Sequence, residues 1–309
     1  MGEKMRLVTR SDFDGLACAM MLKEMDLIDD IKFVHPKDVQ DGKVELSKND
    51  ITTNLPYDPR VALAFDHHES EMDRLKALET GGKLIIDPNA RSAARVVYDY
   101  YGGKKVFTRI SDDLMEAVDK GDSADFSMDE ILHPTGWVLL HYLMDPRTGL
   151  GRFRNFRISN YDLMMELIDY CMNHTIDEIL EMPDVKERVT LYFDQAEQFE
   201  AQLKRIARVE GKVVVLDLRE EEIIHAGNRF MIYALYPETQ ISVHVAWGFK
   251  KQNTAVMIGK SIVNKGSEVD IGELCLKYGG GGHHNAGTCQ LENDLVDQEL
   301  PNIIAALNA

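Results

Sequence analysis

Three polar stretches of this sequence contain residue types that bind metal ions or phosphates. The first, Asp66–His68, follows the apolar run Val61–Phe65, and the second, Ser11–Gly15, follows the predicted strand Met5–Thr9. The third, Gly279–His284, consists of four glycines and two histidines. Carboxylates and imidazoles are ligands of divalent metals, and glycine lets backbone N–H groups approach an anion. Together the stretches indicate metal-assisted chemistry on a phosphate group.

Two aspartates of the second stretch are spaced for a cation. Asp12 and Asp14 are two residues apart, and Gly15 allows a tight turn into a helix. With an extended backbone at Phe13, both carboxylates project to one side and would hold Mg²⁺ or Mn²⁺. The alternative is that Asp12 caps the helix and Asp14 lies in a solvated turn, which an isolated Asp-x-Asp-Gly favours.

The two histidines of the first stretch lie at the end of a buried strand. Ligands bind at this end of the strands in open α/β sheets, although His67 and His68 are equally compatible with a role in the core. Two further aspartates, Asp119 and Asp122, belong by their local sequence to a solvated loop.

The glycine run is a more specific signal. Without side chains, Gly280, Gly281 and Gly282 would present backbone N–H groups to an anion, and His283 and His284 would add hydrogen bonds. A flexible loop is the alternative, but flexible linkers rarely end in His-His-Asn-Ala-Gly.

The first half of the chain alternates predicted strands and helices, which indicates a mainly parallel sheet covered by helices. Residues from 111 to about 182 are predicted to be helical, with a capping box at Thr175–Glu178. The predicted strands are Met5–Thr9, Ile31–His35, Asp50–Thr53, Val61–Phe65 and Lys83–Ile86, and the predicted helices include Leu16–Met25 and Ser92–Tyr101.

A long amphipathic helix, Val185–Val209, is predicted to connect this region to a second domain, although it is also compatible with the interior of one large domain. A short helix, Asp270–Tyr278, precedes the glycine run, and a further helix is predicted at the end of the chain. The strands predicted after the connector are Val213–Leu216, Phe230–Leu235, Ile241–Trp247, Ala255–Ser261 and Thr288–Leu291.

Composition limits the class of partner. The net charge of −17 over 309 residues disfavours long duplex nucleic acid, whose binding depends on Lys and Arg. A local arginine cluster with interleaved phenylalanines offers a phosphate gate, with a plain surface loop as the alternative. The sequence has no apolar run long enough for a membrane span, and its four cysteines are unpaired by spacing, so we expect a cytoplasmic protein. The arginines of the cluster are Arg147, Arg152, Arg154 and Arg157.

These stretches together resemble the motifs of the DHH phosphoesterase family. Ser11–Gly15 is similar to the first motif of that family, Asp66–His68 to the third, and Asp122–Phe126 to the fourth. Asp87–Ala94 resembles the segment that opens a helix after the third motif. Gly280–Gly287 is similar to the Gly-Gly-Gly-His-x-x-Ala-Gly signature of the accessory DHHA1 domain.

The resemblance implies an α/β fold with an N-terminal, mainly parallel sheet and helices on both of its faces. It implies a DHH domain over residues 1–184, a connector helix over 185–209 and a smaller α/β DHHA1 domain over 210–309. It also implies a Mn²⁺ centre, with Mg²⁺ as the alternative and one or two ions. The implied ligands are Asp12, Asp14, His67 and Asp122 or Asp119, and Asp66 binds the metal or supports its ligands. The implied substrate-binding residues are Gly280, Gly281, Gly282, His283, His284, Lys260, Arg91, Ser92 and Asn54.

The sequence departs from the family pattern at two places. Arg10 and Val8 stand where the first motif usually has a histidine ligand, and Asn54 replaces a carboxylate that bridges two metals. A guanidinium has no lone pair for a metal, but it supplies positive charge and binds phosphate bidentately. We therefore expect one metal ion, with Arg10 and His68 stabilising the phosphate. Lys260 replaces an arginine of the accessory motif.

The function implied is a metal-dependent phosphoesterase that hydrolyses terminal esters or anhydrides of short substrates. These are oligoribonucleotides, 3′-phosphoadenosine 5′-phosphate (pAp), dinucleotides or polyphosphate, and a homodimer is compatible with the sequence. The alternative is a catalytically impaired protein that binds a nucleotide or phosphate polymer in a regulatory role. A third interpretation is an α/β interaction protein in which these acids and histidines are incidental.

Overall fold

The computed structural model describes residues 4–68, 83–153 and 155–309, and its contacts divide the chain into two compact units. The first unit contains the residues up to Asp125 together with Pro134–Leu191, and the second contains Phe126–His133 and Tyr192–Ala309. The division falls inside the long helix Pro183–Ile206. The domain boundaries at residues 184 and 209 stay a prediction.

The first unit contains a five-stranded, all-parallel sheet in the order β2-β1-β3-β4-β5. From β1 the chain first adds β2 on one side of the sheet and then adds β3, β4 and β5 on the other side. Ligands of such sheets bind beyond the carboxyl ends of the two strands at which this change of side occurs, here β1 and β3. The strands are β1 (Met5–Thr9), β2 (Ile28–Phe33), β3 (Asp50–Thr53), β4 (Leu63–Asp66) and β5 (Leu84–Ile86).

Nine helices precede the second sheet in the described part of the chain. The described residues also form four short 3₁₀ turns, Gly103–Lys105, Pro146–Thr148, Leu150–Arg152 and Phe249–Lys251. The fifth helix belongs to the second unit, and the ninth spans the division between the units. The helices are α1 (Phe13–Glu24), α2 (Pro36–Gln40), α3 (Ala93–Tyr101), α4 (Asp112–Asp122), α5 (Met128–Leu132), α6 (Gly136–Met144), α7 (Asn160–Asn173), α8 (Ile176–Glu181) and α9 (Pro183–Ile206).

Both faces of the parallel sheet are covered. Val8 of β1 packs in a buried cluster with Val39 of α2, whereas the ring of Phe65 in β4 contacts the rings of Tyr100 and Tyr101 in α3. Because successive strand residues point to opposite faces, Ala64 packs on the face covered by α2 and Phe65 packs on the face covered by α3. The fold class predicted from the sequence is confirmed.

Local hydrogen bonds set the helix starts that matter for the site. The Asp12 carboxylate accepts a hydrogen bond from the Gly15 N–H at 3.0 Å and caps α1. A Cβ on Gly15 would lie 2.1 Å from the Arg10 carbonyl oxygen, so only glycine allows this tight turn. Ser92 caps α3, and the capping box predicted at Thr175–Glu178 is confirmed at the start of α8.

The second unit contains a six-stranded mixed sheet in the order β10-β11-β9-β8-β7-β6, in which only β7 and β8 pair in parallel. One face packs on the C-terminal helix through Val215, Val243, Ile304 and Leu307. The elements are β6 (Ala207–Glu210), β7 (Val213–Asp217), α10 (Met231–Leu235), β8 (Ile241–Trp247), β9 (Thr254–Lys260), α11 (Ile271–Lys277), β10 (Gly281–His283), β11 (Ala286–Leu291) and α12 (Val296–Asn308).

One strand prediction in this unit is wrong. The segment Phe230–Leu235 was expected to be a strand, but Met231–Leu235 forms the short helix α10. A short buried apolar run does not distinguish a strand from one helical turn, since neither leaves an exposed polar face to set a period. The structure also adds β6 and β10, which the sequence did not predict.

No helix among the described residues is long and apolar enough to cross a membrane. All four cysteines are buried free thiols, as their spacing predicted.

Candidate metal and phosphate site

The carboxyl ends of β1, β3 and β4 bring the predicted site residues together. Asp14 follows β1 and lies in the first turn of α1, Asn54 follows β3, and His67 follows β4. These three strands are neighbours in the sheet, so their ends share one edge. This edge is the position at which parallel sheets bind ligands.

Asp14 is almost fully buried and is held by three donors. Its carboxylate accepts hydrogen bonds from Asn54 Nδ2 at 2.7 Å, from the Ala94 N–H at 2.7 Å and from the Ala93 N–H at 3.3 Å. The two backbone donors are unsatisfied groups at the N-terminus of α3, which favours an anion. Burial and the negative charge of Asp122 nevertheless raise the pKa of Asp14 well above its usual value. Bringing a cation to this carboxylate would relieve that cost.

His67 and Asp122 complete a three-residue cluster with Asp14. Nε2 of His67 lies 2.9 Å from Oδ2 of Asp122, and Nδ1 lies 3.2 Å from the carbonyl oxygen of Ala90. Burial opposes a charged imidazole, but the hydrogen bond and charge of Asp122 raise the pKa of His67 to about 9. Burial likewise opposes the charged carboxylate of Asp122, yet the contact with His67 lowers its pKa.

The cluster fits a divalent metal ion. One ligand atom from each of Asp14, His67 and Asp122 can be chosen so that all three atoms lie within 4.8 Å of one another. The Ala90 carbonyl accepts from Nδ1 and so directs the lone pair of Nε2 toward the carboxylates, which is the usual support of a metal-binding histidine. A buried acceptor, Oδ1 of Asn54, has no hydrogen-bond partner among the described residues beside this cluster. Oxygen and imidazole donors suit ions such as Mn²⁺.

Asp12 has different partners from Asp14. Its Oδ2 atom lies 3.0 Å from Nε of Arg10, and its other oxygen caps α1. Asp12 is absent from the three-residue cluster found among the described residues. The capping role that the isolated motif favoured is therefore present, while the predicted solvated position of Asp14 is wrong, since Asp14 is buried.

Arg10 introduces a positive charge next to these acids. Burial opposes its charge, but Asp12, Asp122 and Asp14 together raise its pKa above the usual value. The side chain is 31% exposed, so the guanidinium remains accessible to a ligand.

Asp66 organises the end of β4. Its buried Oδ1 atom accepts from the His67 N–H at 2.8 Å and lies 2.7 Å from Nδ1 of His68. Ligand atoms of Asp66, His67 and His68 also lie within 4.8 Å of one another. Asp66 therefore orients the His68 ring beside the first cluster.

Asp119 has its two oxygens engaged elsewhere. It accepts from Ser92 Oγ at 2.7 Å and from the Arg95 guanidinium at 2.6 Å. Ser92 is fully buried as the cap of α3, and Arg91 contacts Asp125 at the surface. The prediction of a solvated loop at 119–122 is wrong, because these residues form the last turns of α4.

Gly281 and Gly282 of the glycine run form β10 together with His283 and pair with β11, so the flexible-loop alternative is wrong. A Cβ on Gly280 would lie 2.1 Å from the Thr288 carbonyl oxygen, and one on Gly282 would lie 2.3 Å from that of Ala286. Packing thus requires glycine at these two positions. A Cβ on Gly281 would meet no atom of the described residues within 4 Å apart from its chain neighbours, so close packing does not explain this glycine.

A chain of polar side chains lies beside this hairpin. Nζ of Lys260 is 2.8 Å from Nε2 of His284, and Nδ1 of His284 is 3.1 Å from Oδ2 of Asp270. Since an ammonium can only donate, Nε2 accepts and Nδ1 carries the proton given to Asp270. His283 is exposed on the same hairpin. Asp270 was not predicted; its only signal in the sequence was its position before α11.

The arginine cluster is largely neutralised by neighbouring acids. Arg147 pairs with Asp145, and Arg157 pairs with Asp184. Burial lowers the pKa of Arg152, and Arg154 lies outside the described residues. The pairing favours the surface-loop interpretation over a phosphate gate for Arg147 and Arg157.

Comparison with solved structures gives a close similarity to a phosphodiesterase. No protein-family model and no curated protein matches the sequence. The structure of a pGpG-specific phosphodiesterase, PggH from Vibrio cholerae, is 56% identical, covers 99% of each chain and superposes with a TM-score of 0.83. An exopolyphosphatase-related protein from Bacteroides fragilis is 13% identical over 98% of this chain and 91% of the other, with a TM-score of 0.53. RecJ from Thermus thermophilus, in complex with Mn²⁺, is 16% identical over 99% of this chain and 52% of the other, with a TM-score of 0.56.

The two-sheet architecture and the acid–imidazole cluster at the carboxyl edge define a metal-dependent phosphoesterase. The chain belongs to the DHH phosphoesterase family. It is a hydrolase that acts on phosphoester bonds of short phosphate-containing substrates, so the prediction of an enzyme is confirmed.

Replacing Asn54 by aspartate tests whether this position opposes or supports the buried charge of Asp14. We expect the free energy of unfolding in EDTA to fall by about 1–3 kcal/mol, because a buried hydrogen bond becomes a like-charge contact. Asn54 has a φ of +55°, which aspartate also tolerates, so backbone strain does not confound the result.

Chemical denaturation with and without Mn²⁺ measures this effect. A saturating metal should restore most of the lost stability, since the ion offsets the added negative charge. Asn155→Asp, at an exposed position, is the matched control and should leave stability unchanged. Equal stability of Asn54→Asp and wild type in EDTA would contradict the assigned contact.

Proposed function

We propose that this enzyme hydrolyses the linear dinucleotide pGpG at its internal phosphodiester bond and releases two molecules of GMP. The observation that carries this proposal is the 56% identity, over 99% of each chain, to a pGpG-specific phosphodiesterase. The acid–imidazole cluster supports it chemically, because phosphodiester hydrolysis needs an activated water and neutralisation of phosphate charge. The free buried cysteines support a cytoplasmic enzyme.

We assign a single Mn²⁺ ion to Asp14, His67 and Asp122. Bound there, the ion would supply Lewis-acid charge and lower the pKa of a coordinated water. Asp66 holds the His68 ring in a position to donate a hydrogen bond to a phosphate oxygen. Arg10, paired with Asp12, supplies the positive charge that a second ion would otherwise provide.

We assign recognition of a phosphate group to the hairpin of the second unit. Lys260 and His283 supply charge and hydrogen bonds, and the open space at Gly281 lets an anion approach the backbone. Asp270 positions Lys260 indirectly, because it fixes the tautomer and orientation of His284, whose Nε2 lies 2.8 Å from Nζ of Lys260.

Product analysis tests the function. The purified protein is incubated in the presence of Mn²⁺ with pGpG, pApA, pAp or polyphosphate, each in its own reaction. The products are separated by ion-exchange chromatography. We expect GMP from pGpG at the highest kcat/KM of the four substrates. Faster turnover of pAp or polyphosphate would overturn the assignment to pGpG. Tight binding of pGpG without turnover would instead support the regulatory alternative.

Asp270→Asn tests the positioning role of Asp270. Asparagine caps helices as well as aspartate does, so α11 should keep its start while the charge on the His284 hydrogen bond is lost. We expect KM for pGpG to rise about three- to tenfold with kcat nearly unchanged, as for a partly exposed charged hydrogen bond. Steady-state kinetics measures both constants.

The control for this variant is Asp294→Asn, at an exposed position of the same unit. It should leave KM unchanged. A fall in kcat alone for Asp270→Asn would contradict a role in holding the substrate.

A further inference from the structure

One buried imidazole of the first unit has no role in the site described above. His141 is 7% exposed and lies in α6, within the stretch Trp137–Met144, whose other side chains are apolar or aromatic. A polar side chain costs more to bury than an aliphatic one of similar size. Filling the core is therefore a poor explanation for a histidine at this position, and its contacts give a better one.

The first contact is with Gly121 of α4, the residue before the proposed ligand Asp122. A Cβ on Gly121 would lie 2.5 Å from Nδ1 of His141 and 2.8 Å from its Cε1, so the imidazole ring occupies the place of a side chain at position 121. The φ of Gly121 is not positive, and glycine weakens a helix relative to alanine. The close approach of the His141 ring is therefore what requires glycine here.

The second contact is with Phe13, the residue before the proposed ligand Asp14. The Phe13 ring is buried, and its centroid lies 6.3 Å from that of His141 and 5.9 Å from that of Trp137. Trp137 and His141 are four residues apart on α6 and so lie on the same side of this helix. Trp137 is fixed in turn, because its Nε1 donates to Oδ2 of Asp113 in α4 at 2.8 Å. One side of α6 thus contacts both turns that carry a ligand.

The two proposed ligands belong to different helices, Asp14 to α1 and Asp122 to α4. Ligand atoms of both carboxylates and of His67 lie within 4.8 Å of one another. Two carboxylates this close repel each other when no cation is bound, and the repulsion favours a larger separation. A ring that packs against both turns opposes that movement and keeps the carboxylates at the spacing that a metal ion needs.

We propose that His141 is a positioning residue for the metal ion, whose ring sets the separation of the carboxylates of Asp14 and Asp122. It acts by contact with the residue that precedes each ligand and through its shape. The inference rests on the assignment of Mn²⁺ to these ligands in the proposed function. It adds a residue of α6, a helix that supplies none of the proposed ligands, to the groups that determine metal affinity.

A double-mutant cycle at positions 121 and 141 tests this inference. Mn²⁺ binding is measured by isothermal titration calorimetry, without substrate, in wild type, His141→Ala, Gly121→Ala and the double variant. We expect each single variant to raise the Kd for Mn²⁺ by about ten- to hundredfold, the first because the ring is lost and the second because the added methyl group displaces it. In the double variant the methyl group occupies space that the ring leaves, so its Kd should be no higher than that of His141→Ala.

Two further variants separate positioning from stability. Ile179→Ala, at a fully buried position of α8, is the matched control, which should lower the melting temperature and leave the Kd for Mn²⁺ unchanged. His141→Asn keeps a planar polar group next to Gly121 and should recover part of the affinity lost in His141→Ala. If His141→Ala does not fold, Gly121→Ala decides, and an unchanged Kd in that variant would overturn the inference.

The outcomes also separate this inference from the proposed function. If wild type binds no Mn²⁺, the metal assignment and the role of His141 fall together. If wild type binds Mn²⁺ and His141→Ala binds it equally tightly while melting at a lower temperature, His141 is only part of the core and this inference alone is overturned. Effects of the two single changes that simply multiply in the double variant would also overturn it, because the two residues would then act independently.

Discussion

Replacing Asp122 by asparagine is expected to remove the bound metal and to lower kcat for pGpG by about a thousandfold. A metal contributes several kcal/mol to the stabilisation of a phosphoryl transition state, and each 1.36 kcal/mol is worth a factor of ten in rate. Asp122 lies 2.9 Å from His67, so the variant removes one ligand and the electrostatic partner of another. Elemental analysis of the dialysed protein and single-turnover kinetics measure the two effects.

Asp119→Asn is the matched control, three residues earlier on the same helix. Its carboxylate pairs with Arg95 and accepts from Ser92, away from the three-residue cluster. We expect the free energy of unfolding to fall by about 1.5–3 kcal/mol through the weakened charged hydrogen bond, while the metal content per folded molecule stays at the wild-type level. If Asp119→Asn lost the metal and Asp122→Asn kept it, the ligand assignment would be reversed.

Replacing Arg10 by methionine is expected to lower kcat by about a hundred- to a thousandfold without loss of the metal. This is the usual cost of removing one fixed donor that stabilises transition-state charge. Methionine keeps much of the side-chain length but removes the charge beside Asp12. Arg10→Lys should recover only part of the rate, because an ammonium keeps the charge without the planar fork.

Arg6→Met separates this effect from a general loss of an arginine–aspartate pair. Arg6 lies on β1, which ends one residue before Arg10, and it pairs with the buried Asp50 at 2.7 Å, in register across β1 and β3. We expect Arg6→Met to lower the free energy of unfolding and to leave kcat unchanged. A variant of Arg10 with wild-type kcat would show that this guanidinium does not act on the phosphate.

Much of the first unit follows from local patterns. The strands Met5–Thr9 and Asp50–Thr53 have the predicted bounds, and the other three strands of the parallel sheet are shifted by a few residues at most. Apolar runs bounded by turn residues specify such strands because both faces of the sheet are buried. The segment Phe230–Leu235 is a short apolar run without a pattern that distinguishes a strand from one helical turn, so its short helix could not be predicted.

For the candidate site, too, the sequence predicted some features and only the folded structure decided others. Residue types and spacing indicated Asp14, His67 and one of two aspartates, because metal chemistry needs these groups and the ends of adjacent strands must lie close together. The choice between Asp119 and Asp122 depends on which neighbours each carboxylate meets after folding. Arg95 and Ser92 engage the first of them, and His67 engages the second.

The sequence by itself therefore determined the family and the parallel sheet and predicted the residues proposed for the phosphate chemistry, since these depend on order and type along the chain. The tertiary structure alone decided the partners of each charge. It placed Asp14 at the N-terminus of α3, paired Asp12 with Arg10 and aligned Asp270, His284 and Lys260. These contacts join residues far apart in sequence, and burial makes them strong because water no longer competes for the same groups.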